Sequence, residues 1–158
     1  MRVRGIVAED FCNYKVPSMF IISTRCDWKC CIEVGMNISV CQNAPLVSTP
    51  ITEIADDDIV ELYLKNDISK AIVIGGLEPM LQIDEIDALL TKFREQGCND
   101  PFVIYTGYYP EEITDELGRL RGRNVIVKFG RFIPSEDSRY DEILGVTLAS
   151  KNQFALQL

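Results

Sequence analysis

Four of the six cysteines in this chain fall in one stretch, Cys26-Asp27-Trp28-Lys29-Cys30-Cys31 and then Cys41-Gln42-Asn43, while Cys12 and Cys98 stand apart. Clustered thiols in a reducing compartment point to a metal, because thiolates are soft ligands and disulfides do not persist there. Four thiolates could close a tetrahedral zinc site. Against zinc, neighbouring side chains of an extended chain point apart, as Cys30 and Cys31 would, and the short paired spacings of zinc ribbons are absent. Three thiolates with one position left open suit an iron–sulfur cluster that binds something else. Ordinary buried cysteines are the third reading.

The chain contains no histidine, which excludes Ser-His-Asp and Cys-His catalysis, a histidine general base and every His-ligated metal. Lys and Arg number 16 against 24 Asp and Glu, a net charge of −8 that argues against a nucleic-acid partner. No apolar run is long enough for a bilayer, and MRVRGIVAEDF has no signal-peptide core, so no membrane role and a cytoplasmic setting are expected. The 158 residues, 47% of them hydrophobic, are read as one domain spanning 1–158.

The elements that must position the cysteines follow from periodicity. Arg2–Val7 and Ser18–Ser23 read as strands. Residues 24–50 show neither strand nor helix period and read as a long loop. Asp56, Asp57 and Asp58 offer a helix start, with Ile59, Leu62 and Tyr63 on one face. Ala71–Ile74 is a buried strand ending in Gly75-Gly76. Ile83, Ile86, Leu89, Leu90 and Phe93 recur at helical spacing up to a stop at Gly97. Phe102–Tyr105 is a strand ending at Thr106-Gly107, Pro110 opens a helix through Leu120, and Val125–Phe129 ends at Gly130. This alternation predicts an α/β fold with a mostly parallel sheet. Ligands in such sheets sit at the carboxyl ends of strands. The cysteine loop, Gly75-Gly76, Thr106-Gly107 and Gly130 all follow strands, so they are expected on one rim.

Cys26-x-x-x-Cys30 after an early strand is similar to the first two ligands of the radical S-adenosylmethionine enzymes, whose motif is CxxxCxxC. Cys41-Gln42-Asn43 is similar to the motif's ending in the activating proteins of anaerobic ribonucleotide reductase. The chain departs from the motif in that residues 31–40 separate Cys30 from Cys41, with Cys31 an alternative to Cys30 as ligand. Gly75-Gly76-Leu77-Glu78-Pro79 resembles the superfamily's GGEP with one residue inserted, and Tyr105-Thr106-Gly107-Tyr108 resembles the activating proteins' TGY segment. Residues 125–132, VIVKFGRF, and 148–153, LASKNQ, resemble two later segments of the same proteins.

The resemblance implies a shortened, open (β/α) partial barrel of the radical SAM type. It implies a 4Fe–4S cluster on Cys26, Cys30 and Cys41, with S-adenosylmethionine held around Asn43, Gly75, Gly76, Glu78, Pro79, Thr106 and Lys128. It further implies an activating enzyme: reductive cleavage of S-adenosylmethionine gives a 5′-deoxyadenosyl radical, which leaves a glycyl radical on anaerobic ribonucleotide reductase. An electron donor such as flavodoxin or ferredoxin would feed the cluster. None of this needs a protein acid or base.

The same residues have plainer readings when taken singly. Gly75-Gly76 is a tight turn, Glu78 a helix-start carboxylate, Lys128 a solvent-facing lysine and Cys98 an incidental loop thiol. Trp28 and Phe20 read as packing. Neither GxGxxG nor GxxxxGK[ST] occurs, so no phosphate cradle is expected, and no EF-hand spacing follows Asp56–Asp58. A non-enzymatic iron–sulfur or zinc protein, an electron carrier or scaffold, would keep the cysteines without needing Gly75–Pro79. A radical enzyme with another substrate would keep both.

Overall fold

The computed structural model describes residues 1–158. In chain order its strands are β1 (Arg2–Val3), β2 (Gly5–Asp10), β3 (Ser18–Ile22), β4 (Thr52–Glu53), β5 (Ile72–Gly75), β6 (Phe102–Tyr105), β7 (Val125–Phe129), β8 (Arg139–Asp141), β9 (Val146–Leu148) and β10 (Phe154–Gln157). The helices are α1 (Lys29–Glu33), α2 (Asp56–Leu64), α3 (Ile83–Glu95) and α4 (Thr114–Leu120). Six strands form the central sheet in the order β10-β7-β6-β5-β3-β2. The inner four run parallel, with Phe20 opposite Val73, Val73 opposite Val103 and Val103 opposite Ile126. β2 and β10 close the two edges antiparallel.

The runs Ile72-Val73-Ile74, Phe102-Val103-Ile104 and Val125-Ile126-Val127 are unbroken and apolar because both faces of these strands are covered. Alternation along each strand sorts the side chains between the faces. Ile21, Ile74, Ile104 and Val127 meet Ile59 and Tyr63 of α2, Leu89 and Phe93 of α3 and Leu120 of α4 in the main core. Burying each such side chain stabilises by about 1.5–3 kcal/mol. Val73, Val103 and Ile126 face the other way, against Tyr14, Leu144 and Leu148. The three crossover helices therefore share one face. The opposite face is covered by the β8–β9 hairpin and the segment around Tyr14, and near the strands' carboxyl ends it gives way to a cavity bordered by Phe20, Tyr105 and Lys128. No helix is long and apolar enough to cross a membrane.

Several elements differ from the sequence reading. The strand expected over Arg2–Val7 breaks at Arg4: β1 pairs with β4, and β2 joins the main sheet. Inside the loop expected over residues 24–50 lie α1 and two 3-10 turns, Ile38–Val40 and Ala44–Ser48. The helix expected from Pro110 to Leu120 is a 3-10 turn, Pro110–Glu112, followed by α4, because Ile113 leaves helical geometry at φ −138°, ψ 38°. The hairpin β8–β9 and the strand β10 carry no periodic signal. Cys98 lies in the loop between α3 and β6, as expected, but its side chain is buried in the main core.

Candidate functional site

Arg4, at the break between β1 and β2, fastens both ends of the cysteine loop. Its guanidinium donates to Thr24 O at 2.7 Å and Val47 O at 2.8 Å, and also to Thr49 O. Thr24 is held again by Gln82, whose Oε1 accepts from its N–H at 2.7 Å and its hydroxyl at 2.8 Å. From this base the chain runs through Cys26, turns at Trp28 in the left-handed region (φ 61°) and enters α1, which carries Cys30 and Cys31. The Trp28 N–H donates to Cys26 Sγ at 3.3 Å. Asp27 accepts from the Tyr108 hydroxyl at 2.6 Å, tying the loop to the segment after β6.

Cys26, Cys30 and Cys41 border one cavity of about 490 Å³, together with Asn43, Gly76, Glu78, Thr106 and Lys128. Burial pushes the Cys26 thiol up to about 11. Burial first, then the neighbouring Cys31 thiol, pushes Cys30 up to about 12. Cys31 is buried and does not face this cavity.

Across the cavity Glu78 is 5% exposed, and both its oxygens are used internally. Oε1 accepts from the Thr106 hydroxyl at 2.7 Å and Met80 N–H at 3.1 Å, and Oε2 accepts from Gly107 N–H at 2.8 Å. Burial raises its carboxyl above the usual range, and those three donors oppose the rise. Gly76 has φ +83°, and a Cβ there would lie 2.9 Å from Ile22 Cγ2 and 3.1 Å from Leu46 Cδ1. Only glycine fits that turn and that contact. Lys128 does not face solvent. It is buried, donates to Gly130 O at 2.9 Å, and burial lowers it to about 8 despite the nearby Glu78 and Cys30.

A family model described as a 4Fe-4S single cluster domain matches residues 19–153. The chain belongs to that family. No curated protein and no solved structure matches it.

The residues present fit the cluster of a 4Fe-4S single cluster domain. Burial holds the Cys26 and Cys30 thiols protonated, and thiol ligands give up their protons to the metal that replaces them, as ligation requires. No three Cys, Asp or Glu side chains are drawn in to the spacing that would hold a single ion. Such a cluster is held by cysteine thiolates, and Cys26, Cys30 and Cys41 border one cavity. Of the cofactor residues expected from the sequence, Asn43, Gly76, Glu78, Thr106 and Lys128 border the cavity, whereas Gly75 and Pro79 do not. Gly75 lies where an added Cβ would come 3.2 Å from Tyr105 Cβ, and Pro79 is the buried first residue of a 3-10 turn capped by Glu78. Phe20 and Trp28, read as packing, both border the cavity.

Sequence reasoning missed the groups that hold the loop. Arg131, 5% exposed, reaches Glu112 by two nitrogens at 2.6 and 2.8 Å, and its Nε lies 2.8 Å from Glu33 of α1. Lys29 pairs with Glu112 at 3.2 Å and stacks over Tyr108 at 4.4 Å. Single charged residues far apart in the chain carry no spacing signal, so nothing short of the fold could have found them.

Proposed function

We propose that this iron–sulfur protein is a radical S-adenosylmethionine activase that generates a glycyl radical on anaerobic ribonucleotide reductase. The observation that carries the reading is that one cavity is bordered at once by Cys26, Cys30 and Cys41 and by the turns after β5 and β6. Cys26, Cys30 and Cys41 would hold the cluster, and the loops carrying Gly76, Glu78 and Thr106 would hold S-adenosylmethionine. Bound together, cluster and S-adenosylmethionine supply one-electron cleavage of the sulfonium and a radical able to take a hydrogen atom from glycine.

The chain's own part is to orient and to exclude water. Glu78 fixes the turns after β5 and β6 against each other through its three hydrogen bonds. Gly76 lets Ile22 and Leu46 close against the turn. Lys128 sets a buried cation on the cavity wall, suited to a carboxylate ligand. Crossover helices on a single face, with a cavity on the other, support a shortened open (β/α) partial barrel. The partner in this reading is a protein, anaerobic ribonucleotide reductase, with flavodoxin or ferredoxin as donor in the cytoplasm.

The test is EPR of the anaerobically reconstituted, dithionite-reduced protein, with and without S-adenosylmethionine. The expected result is a reduced 4Fe–4S signal that changes on adding S-adenosylmethionine, and a glycyl doublet once the reductase is present. A signal indifferent to S-adenosylmethionine would overturn the proposal in favour of an electron carrier. A changed signal with no doublet would move the substrate elsewhere.

A further inference from the structure

Trp28 is the bulky side chain that sits on a left-handed backbone, at φ 61° and ψ 21°. Positive φ is otherwise met at six glycines and at Asn124. Glycine adopts this conformation freely and asparagine tolerates it, whereas a large side chain there is strained. The backbone role of the turn needs no indole. Trp28 N–H donates to Cys26 Sγ at 3.3 Å, and its carbonyl accepts from Cys31 N–H at 2.9 Å and Ile32 N–H at 3.0 Å. A glycine would make all three bonds with less strain. Strain of this kind persists where something else holds it in place, and at position 28 that has to be the ring.

Within the chain the ring has no ordinary reason to be there. Trp28 belongs to neither apolar core. Its indole stacks on no aromatic ring and lies under no cation. Its hydrogen bonds are all made by its backbone. What Trp28 does border, half-buried, is the cavity of Cys26, Cys30 and Cys41. We propose that Trp28 is a positioning residue that shields the iron–sulfur cluster, its indole closing the cavity beside the Cys26–Cys30 turn against water.

The apolar surroundings of a metal site set its access to solvent and, through that, its potential. Reduction adds negative charge to a cluster already carrying thiolates. Keeping water away disfavours that extra charge, so a shielded cluster is the stronger reductant. Shielding also slows the loss of iron, because thiolates let the metal go as they take up protons. The inference rests on the cluster alone and not on the S-adenosylmethionine reading, so the two can fail separately.

The test compares Trp28→Gly with Trp28→Phe in the anaerobically reconstituted full chain. Glycine keeps the turn and removes the ring; phenylalanine keeps an apolar ring on the strained turn. In an EPR-monitored redox titration, Trp28→Gly should show a more positive midpoint potential than the wild type. Transfer of its iron to a chelator should be roughly tenfold faster or more. Trp28→Phe should stay close to the wild type in both. A Trp28→Gly chain that matches the wild type in potential and iron retention overturns the proposal, since relief of strain would then be the whole effect. So does a Trp28→Phe chain shifted as far as Trp28→Gly, loss of iron from both included. A glycine variant that takes up no iron, beside a phenylalanine variant that does, is the far end of the expected result. Far-UV circular dichroism checks each fold, which the substitutions should leave intact because position 28 lies outside both cores.

Discussion

Gly76 and Glu78 lie two residues apart and act in different ways. Read from the sequence, both belong to a cofactor motif. In the fold, Glu78 spends its carboxylate on Thr106, Gly107 and Met80, so it shapes the cavity wall rather than offering a free oxygen to a ligand. Gly76 holds a backbone conformation and a side-chain contact that no other residue tolerates. Gly76→Ala should cost about 1–3 kcal/mol of stability through backbone strain and displaced packing. The atoms an added Cβ would meet first belong to Ile22 and Leu46 and not to a cysteine, so iron content per chain should stay at the wild-type level while the EPR response to S-adenosylmethionine weakens at least tenfold. Iron analysis and EPR on one sample check both halves, and a parallel loss of iron would refute the division of labour. The cysteines and the glycine turns are legible because each is local, a few residues with a defined chemistry. Arg4, Gln82 and Glu112 are illegible because their partners are fixed only by the fold.

Among the elements, the strands were the easiest to read. Continuous apolar runs such as Ile72–Ile74 and Phe102–Ile104 can only be buried, and the glycines shortly after them mark the turns. Helix α1 is too short to hold itself together and owes its place to tertiary contacts, chiefly the ion pairs of Arg131 and Lys29 with Glu33 and Glu112. This dependence has a pH signature. Arg131, donating to Glu112, holds that carboxyl down from an ordinary 4.5 to about 2. As pH falls below about 4.5 the unfolded chain takes up this proton before the folded chain does. The stabilisation is complete above that pH and is lost on the way down to about 2. Because Glu112 is partly exposed, about 0.5–1 kcal/mol is at stake. Urea midpoints of the wild type should fall more between pH 5 and 3 than those of Glu112→Gln. Equal falls would mean that the pair contributes nothing.

At the scale of the molecule, both apolar cores are built without any residue of 24–53. The sheet and its helices should therefore stand without the metal. Removing iron with a chelator is expected to leave a cooperative thermal transition and the far-UV circular dichroism of the sheet. Proteolysis should accelerate about tenfold or more and be confined to the cysteine loop. A chelated protein with no cooperative transition would show instead that the metal holds the whole fold. The same separation explains what the sequence disclosed at this scale. The alternation of strands and helices is imposed by the core, whereas the loop answers to other constraints and has no period of its own.

Arg4 carries one more consequence, in chain entropy. By joining Thr24 to Val47 and Thr49 it gives the cysteine loop a closed neck. Bringing together the ends of a loop this long costs on the order of 3 kcal/mol. Because Arg4 sits on the sheet, that cost falls on folding of the sheet and not on capture of iron. Even doubling the length of the loop by growth between Cys30 and Cys41 then adds only about 0.6 kcal/mol, since closure entropy grows with the logarithm of length. A loop fastened at its base can grow in its middle.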